Sequence, residues 1–155
     1  KSKQDTIKNF SKKISLAKKS SYSDNFMVIA RVESLILGKS VNDALKRAAQ
    51  YSKAGADAIL IHSKSKNANE IIQFAKIFKK TKHHKPLVSV PSTYSKTKES
   101  LLIKNGFQII IYANHLIRAS YKTMSETAQK ILKNKRSFET EKSISKISEV
   151  LTLIK

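Results

Sequence analysis

Apolar positions along the chain fall into two alternating rhythms. Four short runs are nearly continuous in hydrophobicity and rich in β-branched residues: 26–33 (FMVIARVE), 57–62 (DAILIH), 87–91 (LVSVP) and 108–113 (QIIIYA). Runs without clean alternation predict strands buried on both faces, the habit of parallel sheets. Between them the spacing turns helical. Residues 4–19 carry Ile7, Phe10, Ile14 and Leu16 as an apolar set. Ser40 reads as an N-cap for a helix through Ala54 with Val41, Ala44, Leu45 and Ala48 on one face, and Gly55 sits where a glycine ends a helix. Asn67 with Glu70 three residues on predicts a capping box, opening a helix that runs to about Lys80. A short helix is expected over 96–105, stopped by Gly106. After the last strand come a helix over 116–132, a polar stretch over 133–141 and a terminal amphipathic helix over 144–154.

The order αβαβαβαβαα, with short connections, predicts a parallel α/β sheet. Segments 54–59 (AGADAI) and 105–110 (NGFQII) repeat one device: helix end, glycine, tight turn, buried strand. A doubly wound sheet and a (β/α)8 barrel both fit, but four strands cannot close a barrel that needs eight. No domain boundary is visible, so 1–155 is read as one partial domain.

Composition changes this picture little. The formal net charge of +20 suggests nucleic acid or an anionic surface. Against that, lysines spread over most polar faces, aromatics are not interleaved as stacking platforms, and Ile, Lys, Asn and Ser are abundant together, as in AT-rich coding. A lysine-biased solvated surface is the preferred reading, and nucleic acid is not the expected partner. No cysteine is present, which excludes a disulfide framework or thiolate metal site and fits a reducing, cytoplasmic setting. No apolar run approaches the roughly 18 residues of a membrane span, and no signal-peptide core follows the N-terminus. Position 1 is Lys, so a fragment or processed product is expected.

Ligands in parallel α/β folds meet the C-terminal strand ends. Arg31 interrupts the first apolar run, with Glu33 on the same side by alternation. A buried guanidinium needs an anion, so Arg31 either clamps a substrate carboxylate or phosphoryl group or pairs internally with Glu33. His62 closes the second run, as a donor to an anionic oxygen, an acid or base, or a satisfied rim histidine. Asn114 ends the fourth, as a ligand contact or a helix cap. The other arginines, Arg47, Arg118 and Arg136, each raise the question of bidentate chemistry in a chain that uses Lys by default. The pair His83-His84 lacks further ligands, Asp57 begins a strand on the non-catalytic side, and no carboxylates cluster for Mg²⁺. There is no P-loop and no nucleophile elbow.

Three segments in order, 28–37 (VIARVESLIL), 44–64 (ALKRAAQYSKAGADAILIHSK) and 112–120 (YANHLIRAS), together with 85–97 (KPLVSVPSTYSKT), resemble the phosphoenolpyruvate mutase family, which includes phosphonopyruvate hydrolase, within the isocitrate lyase superfamily. The resemblance runs from about Phe10 to the C-terminus. It implies the C-terminal half of a (β/α)8 barrel: four parallel strands, flanking helices and a C-terminal helical extension. It implies an enzyme that interconverts phosphoenolpyruvate and phosphonopyruvate, forming the C–P bond of phosphonates, with hydrolysis of phosphonopyruvate as the alternative. A non-catalytic basic binding module is the reading from another class. By the resemblance, Arg31 contacts substrate, His62 contacts the phosphoryl group and Asn114 lies at the rim. His62 stands where carboxylate-cleaving relatives carry an acid, which favours the phosphonate branch. The implied cofactor is Mg²⁺ and the substrate a small phosphorylated or phosphonylated 2-oxo acid. The family's metal carboxylates and gating loop belong to the first half, so this chain alone is expected to be inert, and the full-length protein to be a homo-oligomer.

Overall fold

The computed structural model describes residues 3–23 and 25–153. Its contacts divide into two compact units, Lys1–Ala113 and Asn114–Lys155. The sequence carries no punctuation at that division.

In the first unit, helix α1 (Ile7–Lys19) begins later than its polar lead-in suggests, because the Thr6 hydroxyl accepts from the Asn9 N–H at 3.1 Å and so fixes the cap. Ile14 is buried and Ile7 and Phe10 pack on the core, while Leu16 is exposed. Strand β1 (Ile29–Val32) leads to α2 (Val41–Lys53), capped as expected by Ser40, whose hydroxyl accepts from the Asp43 N–H at 3.2 Å. Gly55 ends that device at φ 106°, a left-handed conformation, and a Cβ there would meet Lys18 Cγ at 3.3 Å. Strand β2 (Ala58–Ile61), α3 (Asn69–Phe78), β3 (Leu87–Ser89), α4 (Glu99–Lys104) and β4 (Phe107–Ile110) complete the unit.

The capping box before α3 does not form as expected. Asn67 Oδ1 does accept from the Asn69 N–H at 3.1 Å, but Ala68 is the cap residue, and Glu70 turns instead to the Ser63 hydroxyl. A buried serine competes better for that carboxylate than a solvated helix end does.

The four strands are parallel in the order β1-β2-β3-β4. Register aligns Ala30, Ile59, Leu87 and Phe107 in one row, and all four belong to the core shared with the helices. The row on the opposite face is Arg31, Leu60, Val88 and Ile109. Strands β2 and β3 are buried throughout or nearly so, as their continuous apolar runs predict. Strand β1 alternates exposed and buried, because only the helix-facing row of this edge strand is covered. At the N-terminal end, Asp57 takes the Val28 N–H at 2.8 Å and Lys18 Nζ at 2.9 Å. These bonds outweigh burial and hold its carboxyl below the usual range. Asp57 is structural, as its place at a strand start suggests.

The second unit holds α5 (His115–Asn134), a 3-10 helix (Phe138–Ser143) and α6 (Ile147–Leu151). Lys135 ends α5 in a left-handed conformation at φ 54°, its N–H on the Ile131 carbonyl at 2.7 Å. Helix α6 is shorter than the amphipathic span predicted over 144–154, and position 154 lies outside the described residues. No described helix is long and apolar enough to cross a membrane.

Candidate active site

The C-terminal ends of β1, β2 and β3 converge on one rim of the first unit. Arg31 stands on the face opposite the core and is half exposed, with its guanidinium paired to Glu33. The expectation of a buried guanidinium is corrected here. Apolar neighbours at Val28 and Ile29 imitate a strand covered on both sides, whereas Ile29 and Arg31 share the open face. The internal Arg31–Glu33 pair is real, and at this exposure it contributes about 0–1 kcal/mol.

His62 follows directly on β2, next to β1, so it lies beside the Arg31–Glu33 pair. Burial and the field of Arg31 depress its pKa below the usual histidine value, and Glu33 works weakly the other way. A neutral imidazole at neutral pH carries one N–H donor and one acceptor. Its Nδ1 is buried and has no hydrogen-bond partner among the described residues. The ring packs against Tyr94 at 6.1 Å between centroids, tilted by 51°. Tyr94 is fully buried, and burial pushes its phenol up to about 12, so it remains neutral throughout the working range. Two further buried hydroxyls near this rim, Ser89 and Ser92, also lack partners among the described residues. Buried polar atoms are rarely left unpaired, so such a concentration marks a place where a ligand or solvent supplies the missing bonds.

The rim is held by bonds that link distant segments. Thr93 donates to the Ser63 carbonyl at 2.7 Å, joining the loops after β3 and β2, and Ser63 is bound in turn by Glu70 and by the Ser65 N–H at 3.0 Å. Just after β1, Ser34 donates to Asp43 at 2.6 Å. Arg47, one of the arginines singled out by sequence, bonds Asp43 at 3.1 Å, the Tyr51 hydroxyl at 3.1 Å and the Asp5 carbonyl at 2.9 Å. Sequence reasoning missed both networks. The spacing Asp43–Arg47–Tyr51, i to i+4 twice, was the available signal for the second. Nothing local announces the first, which spans 30 residues.

The structure thus brings Arg31 and His62 together. Asn114 opens the second unit. It occupies the N-cap position of α5 and its carbonyl receives the Arg118 N–H at 3.1 Å, but its side chain makes no capping bond.

The family model for phosphoenolpyruvate phosphomutase matches residues 1–132. The chain belongs to the phosphoenolpyruvate phosphomutase family. Family relatives include a phosphoenolpyruvate phosphomutase of Tetrahymena pyriformis, 38% identical over 147 residues that cover 95% of this chain and 48% of the relative. A phosphonopyruvate hydrolase of Variovorax sp. (strain Pal2) is 36% identical over 95% of this chain and 50% of its own length. Among solved structures, a phosphoenolpyruvate phosphomutase from Streptomyces platensis subsp. rosaceus superposes with a TM-score of 0.90 at 35% identity, covering 99% of this chain and 52% of that one. A phosphonopyruvate hydrolase in complex with oxalate and Mg²⁺ gives 0.85 at 35% identity, with 96% and 52% covered. The chain spans about half the length of the relatives it matches, and the expected α/β half-barrel, four parallel strands with flanking helices, stands.

A metal such as that in the hydrolase complex needs converging hard oxygen ligands. Among the described residues no group of three or more His, Cys, Asp or Glu side chains could hold an ion. Glu33 is engaged by Arg31 and Glu70 by Ser63. The described residues do not form a Mg²⁺ site.

His62 provides a direct check on the rim's electrostatics. Proton NMR titration is expected to place its midpoint below the ordinary 6.5, the histidine being assigned with His62→Asn. Arg31→Leu moves the midpoint up and Glu33→Gln moves it further down. Because the folded-state pKa is depressed, the unfolded chain takes up the proton first. The stability this group contributes is complete above 6.5 and is lost as pH falls through the folded value. A midpoint at or above 6.5 would show that the ring is solvated and not coupled to Arg31.

Proposed function

We propose that this chain supplies part of the substrate site of a phosphoenolpyruvate phosphomutase, which interconverts phosphoenolpyruvate and phosphonopyruvate. The observation that carries the reading is the pairing, on one rim of a family member, of a solvent-facing arginine with a neutral, partly buried histidine. Arg31 offers a planar fork for a carboxylate or phosphoryl group, exchanging Glu33 for the substrate. His62 donates one N–H to a phosphoryl oxygen without adding a full charge. Together they position the migrating group and stabilise the negative charge it carries, which is the protein's main task in phosphoryl transfer. Asn114 is assigned a hydrogen bond to substrate. Mg²⁺ ligands are assigned to the part of the whole protein outside this chain, so the chain alone is inert.

Phosphonopyruvate hydrolysis is the second reading, favoured by a hydrolase relative whose identity, 36%, is close to the phosphomutase's 38%. Supplying phosphonopyruvate and Mg²⁺ to the intact protein and following phosphorus NMR separates the two. An enol phosphate ester resonance supports the mutase, and inorganic phosphate with pyruvate supports the hydrolase. Unchanged phosphonopyruvate overturns both, and turnover by this chain alone overturns its inertness.

A further inference from the structure

At the N-terminal end of the sheet, away from the strand ends that carry Arg31 and His62, lies a cavity of about 420 Å³ between the end of α3 and the starts of β3 and β4. Its polar lining is Lys79, Lys80, His84, Lys85 and Gln108, with Phe78 and Leu87 beneath and Gly106 at one side. Among the described residues no carboxylate lines it.

The local backbone explains why Gln108 is there. Residues Leu87 and Val88 pair with Phe107 and Ile109, so Gln108 is the extra residue of a β-bulge. Its Oε1 accepts the Leu87 N–H at 2.8 Å. An N–H can be met only by the oxygen of the amide, so the orientation is fixed and the NH₂ group remains as a donor. His84 Nδ1 lies 3.0 Å from the Thr81 carbonyl, which can only accept, so Nδ1 carries hydrogen. Gly106, at φ 96°, takes the turn into the bulge, where a side chain would be strained.

The bland explanation for the lysines is the end of α3, whose dipole attracts cations. That end amounts to roughly half a negative charge, which one lysine satisfies. The pocket gathers three lysines and a histidine. Asp57, whose pKa Lys85 helps to lower, is already held by Lys18 at 2.9 Å. A surplus of positive charge, a fixed amide donor and a volume within the roughly 300–1,000 Å³ of small-molecule sites are left without an anion among the described residues.

We propose that this pocket binds a small phosphate-bearing anion, at a site separate from the Arg31–His62 rim. The bulge makes Gln108 the specific element, and the lysines supply the field. An extended polyanion such as nucleic acid would read only the field and ignore the amide.

Gln108→Glu tests this directly. The carboxylate still accepts from the Leu87 N–H, so the bulge is retained, but the remaining oxygen repels an anion. Gln50→Glu on the exposed side of α2 makes the same charge change elsewhere. Isothermal titration of pyrophosphate into the intact protein near physiological salt is expected to show saturable binding. Gln108→Glu should weaken it roughly tenfold or more, and Gln50→Glu by less than about twofold. Amide shifts at Gly106 and Gln108 on adding pyrophosphate, with a thermal melt of each variant, confirm the location and the intact fold. Absence of saturable binding overturns the proposal. So does equal weakening by both variants, which is the outcome for a diffuse polyanion surface.

Discussion

Arg31→Ala in the intact protein is expected to lower kcat/KM by roughly 10²–10³-fold, the usual loss when one donor to a developing oxyanion is removed. The same change should hardly affect stability. The Arg31 side chain is 51% exposed and Glu33, its ion-pair partner among the described residues, is 34% exposed, so their pair contributes about 0–1 kcal/mol. A large kinetic loss with an unchanged melt is therefore the signature of a substrate contact. Arg31→Lys keeps the charge but loses the fork, and should recover only a small part of the activity. Glu33→Gln frees the guanidinium without moving it. If Arg31 exchanges Glu33 for substrate, that variant lowers KM and leaves a functional enzyme. Arg31→Ala with wild-type kcat/KM would remove Arg31 from the substrate site.

Arg47→Ala should be the most destabilising of the arginine substitutions, by about 2–3 kcal/mol, since the Asp43 it leaves behind is only partly buried. Arg47 is 6% exposed and makes three bonds, two within α2 to Asp43 and Tyr51 and one to the Asp5 carbonyl that joins α2 to the lead-in of α1. Burial alone would raise the Asp43 carboxyl, but the Ser34 hydroxyl and Arg47 hold it below the usual carboxylate range. Without the guanidinium, Asp43 keeps Ser34 and loses its countercharge. Thermal unfolding should fall by roughly 10 °C. Asp43 has a depressed folded pKa, so its stabilisation is complete above the ordinary carboxylate value and is lost as pH falls through the folded one. In Arg47→Ala that loss begins at higher pH. Replacing both partners, Asp43→Leu with Arg47→Met, should be milder than Arg47→Ala alone, because no partly buried charge is left without its partner. A loss below about 1 kcal/mol for Arg47→Ala would mean the guanidinium is effectively solvated.

Where one interaction dominates locally, the fold was legible in the sequence. Ser40 caps α2, Gly55 and Gly106 take positive φ, and the apolar runs at β2 and β3 are buried as continuous runs should be. Errors arose where two partners compete or where a face has no local witness. Glu70 satisfies the capping-box pattern, yet it bonds Ser63, whose proximity depends on how β2 enters its loop. Arg31 sits in a run that looks buried, and apolar neighbours cannot reveal whether the face they share is covered. For the site, strand-end logic found Arg31 and His62. It could not find the Thr93–Ser63 tie, made across two strands, or the bulge at Gln108, whose only trace is a polar residue in the second position of an apolar strand.

The strand order has a consequence for how sharply the rim is aimed. His62 follows β2, which is hydrogen-bonded on both sides, and its loop is pinned by Thr93. Arg31 lies on β1, which among the described residues pairs only with β2. The histidine is thus set like a fixed jaw and the arginine like one hinged along a single edge. Misplacement of a reacting group by about 1 Å costs on the order of 100-fold in rate. Whatever completes the free edge of β1 therefore acts as a tolerance setting for the guanidinium. Loosening that edge would blunt turnover well before it weakened ground-state affinity, because a swinging cation still attracts an anion but no longer meets the transition state at a fixed angle.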